Sequence, residues 1–352
     1  MAEKITKLFA VILAVAVYLF GAYFVFAPWI RAAKQTKESD AAVEAFLERR
    51  TQSILVEQTQ QTEPVEAPEP TQTPTEAELP TEEVLPEETP EELPYAQLRQ
   101  AMEEYNAQIF AERQAGLKKV EDYERGQINL SAYGIEDKMV GVIEIPAMDV
   151  VLPIYLGANY ANLDQGAACM GQTSLPIGGE NTNCVIAGHR GWHNNNYFKA
   201  IEKLEAGDEV IITNLWEVLR YRVCEIRIVA PRDIQQVLIQ EGRDLITLHT
   251  CHPFGSGGRY RYLVYCERVI EEDTPILPQE TQEAQMSAPE VPETSEKEIE
   301  PIVCVQGLEF ESSQREVWIY DAIPWVGIGL TALVIGVVFV YIVRLFGRKH
   351  HK

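Results

Sequence analysis

Two long apolar segments mark the ends of the chain, at residues 8–30 and 322–343. Each exceeds the roughly 20 apolar residues that a helix needs to cross a hydrocarbon core. The first is also longer than the apolar region of about 7–15 residues found in secretory signal peptides. The pattern therefore predicts two retained transmembrane helices.

Basic residues lie before the first apolar segment and after the second. Lys4 and Lys7 precede the first segment, and the tail over residues 344–352 carries several Arg and Lys residues. Because cytoplasmic flanks are enriched in Lys and Arg, residues 1–7 and 344–352 are predicted to be cytoplasmic. Everything between the two spans is then expected on the extracellular face of a cell membrane.

Acidic residues are concentrated in two segments beside these spans. The formal net charge is −23, and most of it lies in residues 31–94, chiefly 57–92, and in residues 271–321. These Glu-, Pro- and Thr-rich stretches contain few aromatic residues, so they are predicted to be a disordered tether and an acidic linker. So acidic a chain is not expected to bind nucleic acid.

Residues 95–138 show a helical pattern at their start. Leu98, Met102, Tyr105 and Ile109 recur at helical spacing with polar residues between them. This periodicity predicts one amphipathic helix that docks on a folded domain.

Short β-like runs fill residues 139–270. Leu219, Tyr221 and Val223 alternate with arginines, as in a strand with one face in water. A short helix is predicted at residues 198–206. About eight strands in so short a region indicate a closed barrel, which has no exposed sheet edge. The runs are MVGVIEIP, VVLPIY, NCVIA, EVIIT, VLRYRV, IRIV, DLITLHT and RYLVYCERVI.

The cysteines show no spacing typical of a disulfide framework. Six are spread between residues 169 and 304, and a domain of this size does not need disulfides to be stable. Cys184, Cys224 and Cys266 are predicted to be small packed side chains within strands.

Cys251 differs because it ends a strand-like run. Side-chain alternation puts Thr247, His249 and Cys251 on one face, and the glycine-rich loop after them lets the chain reverse. Arg261 would then return beside Cys251 on the next strand. A nearby cation favours the thiolate form of a cysteine, and a guanidinium can also hydrogen-bond an oxyanion.

A general acid is needed to complete such a site. His189, in VIAGHRG, follows a predicted buried strand, where a loop can present it to a cleft. His193 is expected to be a solvated loop residue. Arg190 and Trp192 are expected to shape the loop that carries His189.

Four stretches together resemble the sortases, membrane-anchored cysteine transpeptidases of Gram-positive bacteria. They are IEIPAMDVVLPIY, SLPIGGENTNCVIAGHRGW, TLHTC and RYLVYCERV, all within residues 139–270. The resemblance implies an eight-stranded β-barrel, with Cys251 as nucleophile, His189 as general acid and base, and Arg261 as the oxyanion-stabilising residue. GGENT and the two anchors resemble class C, the sortases that assemble pili.

Three departures from the family pattern stand beside this resemblance. No Asp-Pro-aromatic lid occurs between residues 109 and 138, so either the cleft is open or the acidic tether covers it. The loop from Cys251 to Arg261 is one residue longer than usual, which makes Arg259 a rival to Arg261. His249 and His252 flank the cysteine where the family has other residues.

Residues beside the cysteine are predicted to contact substrate. Thr250, His249 and His252 are assigned to this role, with the two histidines at the rim and His249 tuning Cys251. His249, Cys251 and His252 are too closely spaced for a zinc site, so neither a metal nor a cofactor is predicted.

The predicted fold is therefore mainly β, with a helix before the barrel and a transmembrane helix at each end. The predicted enzyme, classed with the cysteine peptidases, cleaves LPxTG-like sorting signals through a thioester and transfers the acyl group to an amine, by preference a pilin lysine. Peptidoglycan amines are the alternative acceptor. A hydrolytic cysteine protease and a non-catalytic surface adhesin or scaffold are the other candidates.

Overall fold

The computed structural model describes residues 2–62, 95–191, 196–270 and 312–347. The parts of the predicted tether and linker over residues 63–94 and 271–311 lie outside the described residues. So do residues 192–195, with Trp192 and His193, and the basic tail from residue 348. The described α-helices are α1 (Ala2–Thr62), α2 (Ala96–Ala111), α3 (Tyr160–Gln165) and α4 (Gln314–Gly347).

Eight strands form a closed barrel, in the order β1-β2-β3-β4-β7-β8-β6-β5, which confirms the predicted fold. β2–β3 and β4–β7 pair in parallel, and the other neighbours pair antiparallel. The strands are β1 (Met139–Ile145), β2 (Val150–Leu156), β3 (Ala167–Cys169), β4 (Thr182–Ala187), β5 (Glu209–Thr213), β6 (Val218–Val229), β7 (Asp244–His252) and β8 (Tyr260–Arg268).

Two strands differ from the sequence pattern although the total agrees. The runs VLRYRV and IRIV are one strand, β6, with a register irregularity between Val223 and Glu225 against β8. An irregularity of this kind lets a strand continue where the alternation changes phase. The pattern missed β3 because Ala167, Ala168 and Cys169 include no β-branched or aromatic side chain.

The predicted two-faced strand is present in β6. Leu219, Tyr221 and Val223 are buried, whereas Arg222 is exposed and Arg220 pairs with Glu209 at the surface. Burying an apolar side chain of this size contributes about 1.5–3 kcal/mol, so the alternation fixes which face points inward.

The predicted amphipathic helix is α2, and it docks on the barrel. Leu98, Met102 and Ile109 are buried. Asn106 is buried as well, and its Oδ1 accepts a hydrogen bond of 2.7 Å from the backbone N–H of Leu175. The short helix predicted at residues 198–206 is a 3-10 helix at Ile201–Lys203.

Residues 31–62 belong to α1 and do not form the tether expected there. Val43 and Phe46 of α1 join the barrel core, and Phe46 is fully buried. Arg49 of the same helix pairs with Asp137 just before β1. Residues 31–94 are acidic as a whole, and this composition concealed the apolar positions of α1. The predicted tether therefore began too early in the chain.

Both terminal helices are long and apolar enough to cross a membrane. The candidate spans are residues 5–24 and 314–344, and large side chains on both are exposed, including Phe20 and Leu333. The two helices contact each other where the Tyr18 hydroxyl lies 3.0 Å from that of Thr331. The predicted linker, residues 271–321, extends too far toward the C-terminus. α4 already begins at Gln314, and Ser313 is buried against the barrel.

Candidate active site

Three neighbouring strands bring the predicted catalytic residues together. Ala187 of β4 is in parallel register with His249 of β7, so His189, two residues beyond β4, reaches the level of Cys251. On the other side of β7, Cys251 stands directly opposite Arg261 of β8. Directly paired residues in an antiparallel ladder point to the same face. The barrel therefore collects an imidazole, a thiol and a guanidinium at one end of adjacent strands.

Gly258 lies between the sulfur and the guanidinium. A Cβ built on Gly258 would lie 3.1 Å from Cys251 Sγ and 2.9 Å from Arg261 Nη1. Arg261 Nη1 donates to the backbone carbonyls of Gly258 and Tyr260, at 2.7 and 3.0 Å. These bonds hold the guanidinium on the cysteine side of the loop. Arg259 is exposed and lies outside β8, so the geometry favours Arg261 over its rival.

Cys251 is the partly exposed cysteine at a strand end, whereas Cys184 and Cys266 are buried within strands. Burial raises the pKa of the Cys184 and Cys266 thiols well above the ordinary value. A thiol that stays protonated is a poor nucleophile. These two cysteines have the packed placement expected from the sequence, and Cys224 is half-buried.

The loop that carries His189 is fastened to β7. Thr250 Oγ1 donates a hydrogen bond of 2.6 Å to the carbonyl of Gly188. The carbonyl of His189 accepts from the backbone N–H of Phe198 at 3.1 Å, and the Tyr160 ring lies edge-on, 6.0 Å from the imidazole. A Cβ on Gly188 would lie 2.7 Å from the Phe198 ring, so this position requires glycine for close packing.

A cleft of about 170 Å³ opens beside these residues, on the outer face of the barrel. One part of its lining is polar and includes His189, His249, Cys251 and Arg261. The other part is mostly apolar. Tyr123, Ala158, Leu163, Met170, Ala187 and Pro231 line it, together with Glu124.

The segment at residues 120–126, called here the strap, forms one wall of the cleft and was not predicted from the sequence. The Tyr123 carbonyl accepts hydrogen bonds from the backbone N–H groups of Ala158 and Gly171, both at 2.8 Å. A Cβ on Gly171 would lie 2.4 Å from the Asp122 carbonyl, and one on Gly157 would lie 2.6 Å from that of Glu124. Glycines at both positions let the strap lie flat on the barrel. Tyr123, an aromatic residue in a polar run, was the available sequence signal.

Two side chains that line the cleft, His249 and Tyr123, have shifted pKa values. Enclosure and the nearby Arg261 guanidinium lower the pKa of His249 to about 3. Burial raises the pKa of Tyr123 to about 12, against an opposing effect of Arg261. His249 is therefore neutral, and Tyr123 remains a phenol, over the physiological pH range.

Of the three residues predicted to contact substrate, His249 and Thr250 line the cleft. The Thr250 hydroxyl is bonded to the carbonyl of Gly188, which also lines the cleft. His252 is 2% exposed, and its Nδ1 lies 2.7 Å from Arg190 Nη1. His252 is therefore a buried residue and not the rim residue expected. Arg190, predicted to shape the loop that carries His189, also donates to the Cys251 carbonyl at 3.4 Å and so links that loop to β7.

The barrel domain is similar in sequence to known proteins. Residues 143–269 match the family model described as the sortase domain. Sortase D of Bacillus subtilis is 29% identical over 131 residues, covering 37% of this chain and 63% of that protein. Sortase A of Listeria monocytogenes is 32% identical over 117 residues, covering 33% of this chain and 50% of that protein. The chain thus spans about half to two thirds of the length of these curated relatives.

Solved structures of similar sequence include two sortases C. The enzyme of Clostridium perfringens, solved with the C-terminal cell wall sorting motif, is 35% identical with a TM-score of 0.43, and the match covers 49% of this chain and 88% of that one. Sortase C1 of Streptococcus agalactiae is 28% identical with a TM-score of 0.45, covering 51% and 91%.

The barrel over residues 143–269 is a sortase domain, which confirms the resemblance found in the sequence. Sortase-family enzymes are cysteine transpeptidases.

Proposed function

We propose that this chain is a cysteine transpeptidase that cuts LPxTG-like sorting signals and joins the new carboxyl end to an amine. The observation that carries the proposal is the direct pairing of Cys251 with Arg261, one strand away from the loop of His189. A nucleophile, a proton donor and an oxyanion donor at one site are the groups that acyl transfer needs.

In the first half-reaction, the Cys251 thiolate attacks the carbonyl carbon of the Thr–Gly bond. The carbonyl oxygen becomes an oxyanion, and the guanidinium of Arg261 stabilises it. His189 gives its proton to the leaving amine as the C–N bond breaks. A thioester on Cys251 and a free glycine-terminated peptide are the products.

In the second half-reaction, an amine attacks the thioester carbon. His189 accepts the amine proton, the C–S bond breaks, and Cys251 leaves as a thiolate, ready for the next substrate. Dividing one difficult acyl transfer into two steps lowers the barrier to each. The strap supports this proposal, because a wall that carries Tyr123 removes solvent from one side of the cleft.

For the acceptor, we propose a lysine side chain of a secreted pilin. GGENT before β4 and an apolar helix at each end are the features in which the chain resembles the pilus-assembling class. For localisation, we propose that both terminal helices span the cell membrane, with the barrel outside and both termini in the cytoplasm. Labelling of engineered terminal cysteines by an impermeant maleimide on intact cells would contradict this topology.

The proposal is tested with the full chain in detergent. A peptide containing Leu-Pro-Xaa-Thr-Gly is added with a lysine-containing peptide, a peptidoglycan stem peptide, or neither, and Cys251→Ala is the control. We expect a mass increase on Cys251 that corresponds to the acyl fragment, and a lysine isopeptide product. A stem-peptide product alone would indicate cell-wall anchoring, and free acid despite excess amine would indicate a protease. No acyl adduct and no product would refute acyl transfer and leave a binding or scaffold role.

A further inference from the structure

A buried polar cluster lies behind the proposed catalytic residues, on the opposite face of β7. It consists of Arg190, Glu202, His252 and Ser313, and is called here the Glu202 cluster. All four side chains are nearly inaccessible to solvent. Arg190 directly follows His189 in the chain, and His252 directly follows Cys251. The cluster therefore holds the backbone next to His189 and next to Cys251 in place.

Glu202 is the centre of this cluster. Its Oε1 pairs with Arg190 Nη2, accepts from the Ser313 hydroxyl at 2.7 Å, and lies 3.3 Å from His252 Nδ1. Its Oε2 accepts from the Ser313 backbone N–H at 2.8 Å and from the Ser312 hydroxyl at 2.7 Å. Burial would raise the pKa of Glu202, but the hydrogen bonds that it accepts from Arg190 and Ser313, together with the Arg190 charge, hold that pKa well below its ordinary value. The carboxylate is thus a charged hub.

Ser313 brings the C-terminal part of the chain into the hub. It immediately precedes α4, the second candidate membrane span. Its hydroxyl accepts from Arg190 Nη2 at 2.9 Å and from the backbone N–H of Phe254 at 3.3 Å. Ser313 therefore contacts both the loop after His189 and the loop that connects Cys251 to Arg261.

The first turns of α4 add contacts around the same point. Asp321 pairs with buried Lys199, and the Tyr320 ring meets that of Phe254 edge-on, with 5.7 Å between centroids. Lys199 also lies over the Tyr320 ring. This is a docked segment with ionic, aromatic and hydrogen-bonded contacts.

We propose that Glu202 is a positioning residue and that the start of α4, through Ser313, is required to hold the His189 and Cys251 loops in their reactive arrangement. This inference rests on the proposed acyl transfer. The apolar helix α4 then does more than anchor the chain, because it completes the support of the site. Displacements of about 1 Å can reduce catalysis about 100-fold, so a missing contact in this cluster should reduce turnover.

The test uses the full chain in detergent and compares Ser313→Ala, Ser313→Thr and Glu202→Gln with the wild type. We expect kcat to fall about 5-fold or more for Ser313→Ala and about 10-fold or more for Glu202→Gln, with KM within about twofold of the wild-type value. Ser313→Thr keeps a hydroxyl and should restore most of kcat. The double variant Glu202→Gln/Ser313→Ala should be no slower than Glu202→Gln, since both act through one hub.

Matched controls separate positioning from general stability. Ser131 donates to Glu136 at 3.0 Å on the surface, so Ser131→Ala removes a similar bond elsewhere. Glu209 pairs with Arg220 on β5 and β6, so Glu209→Gln removes another carboxylate. Both controls should keep wild-type kcat.

The alkylation rate of Cys251 by iodoacetamide gives a second readout, and it should change in Ser313→Ala and not in the controls. If Ser313→Ala keeps the wild-type kcat, or if its loss is in KM alone, the inference is overturned even when Glu202→Gln fails to fold. If the wild type forms no Cys251 thioester, the proposed function fails instead, so the two failures are distinguishable.

Discussion

The two faces of β7 show how differently neighbouring residues of one strand can be used. On the outer face, His249 and Cys251 are partly exposed and line the cleft. On the inner face, Thr250 and His252 are buried, and the Thr250 hydroxyl and His252 Nδ1 are hydrogen-bonded to Gly188 and Arg190, on either side of His189. Because side chains alternate along a strand, one face is available to a substrate and the other holds the loops that surround it. Residues that line the cleft therefore alternate along β7 with residues that support the surrounding loops.

Loss of the sulfur should have the largest effect of any change on the outer face. Cys251→Ala removes the proposed nucleophile, so we expect thioester formation to fall by about 1000-fold or more. The melting temperature should change little, because Cys251 is partly exposed. Mass spectrometry of the acyl adduct measures the first effect, with Cys224→Ala as the thiol control. An adduct that persists in Cys251→Ala would contradict the assignment of the nucleophile.

Exchange of the paired guanidinium should have the next largest effect. Arg261→Lys keeps the positive charge but loses the fork of N–H donors, so we expect kcat to fall about 100-fold. Arg259→Lys, at the exposed neighbouring position, should remain within about twofold of wild type. Steady-state transpeptidation measures both variants. The reverse ranking would assign the oxyanion role to Arg259.

Filling the space between the sulfur and the guanidinium should have an intermediate effect. Gly258→Ala places a methyl group 2.9 Å from Arg261 Nη1 and 3.1 Å from Cys251 Sγ, so we expect about a 10-fold or larger fall in kcat.

Gly255→Ala is the matched control for Gly258→Ala. Both glycines have positive φ angles, +72° for Gly255 and +84° for Gly258, but no atom lies within 4 Å of a Cβ at Gly255. Both variants therefore incur a similar backbone penalty, and only one crowds the site. Equal activity losses in the two variants would show that backbone strain is the cause and the space is not.

On the inner face, a change should affect stability before chemistry. Thr250→Val removes the hydroxyl that donates to the Gly188 carbonyl and leaves that carbonyl unsatisfied, at a cost of about 1–3 kcal/mol in the free energy of unfolding. Urea unfolding measures the loss, and we expect the KM for the peptide to change less than about twofold. A large change in KM without loss of stability would instead support the substrate-contact role predicted for Thr250.

The last prediction concerns the pH dependence of the free energy of unfolding through His249. Its pKa is lowered to about 3 in the folded chain, below the ordinary value of 6.5. As the pH falls, His249 therefore binds a proton in the unfolded chain before it does so in the folded chain. The contribution of this pKa shift to the free energy of unfolding is present above pH 6.5 and is lost as the pH falls toward 3. His249→Asn should show a shallower fall in unfolding free energy between pH 6.5 and 4. Identical pH profiles would contradict the shift.

Much of the barrel could be predicted because its strands alternate or are strongly apolar. The pairing of Cys251 with Arg261 followed from one glycine-rich reversal between two strong strands. The strap and β3 could not be predicted in the same way. Tyr123 stands in a polar run whose hydrogen bonds to the barrel are made by backbone atoms. β3 is a strand because it pairs with β2 and β4, and its own residue types do not favour one. Residues 31–62 were misassigned because composition was averaged over a helix and an acidic stretch.

The sequence alone determined the period of the strands, the apolar ends, and the residue types that acyl transfer requires. These properties are local, because hydrophobic periodicity and side-chain chemistry are fixed by residues close together in the chain. Only the tertiary structure left Arg259 exposed outside β8, placed His252 inside the fold, and brought Ser313 to Glu202. Those outcomes depend on which strand ends and loops meet when the barrel closes, and a linear pattern does not contain that information.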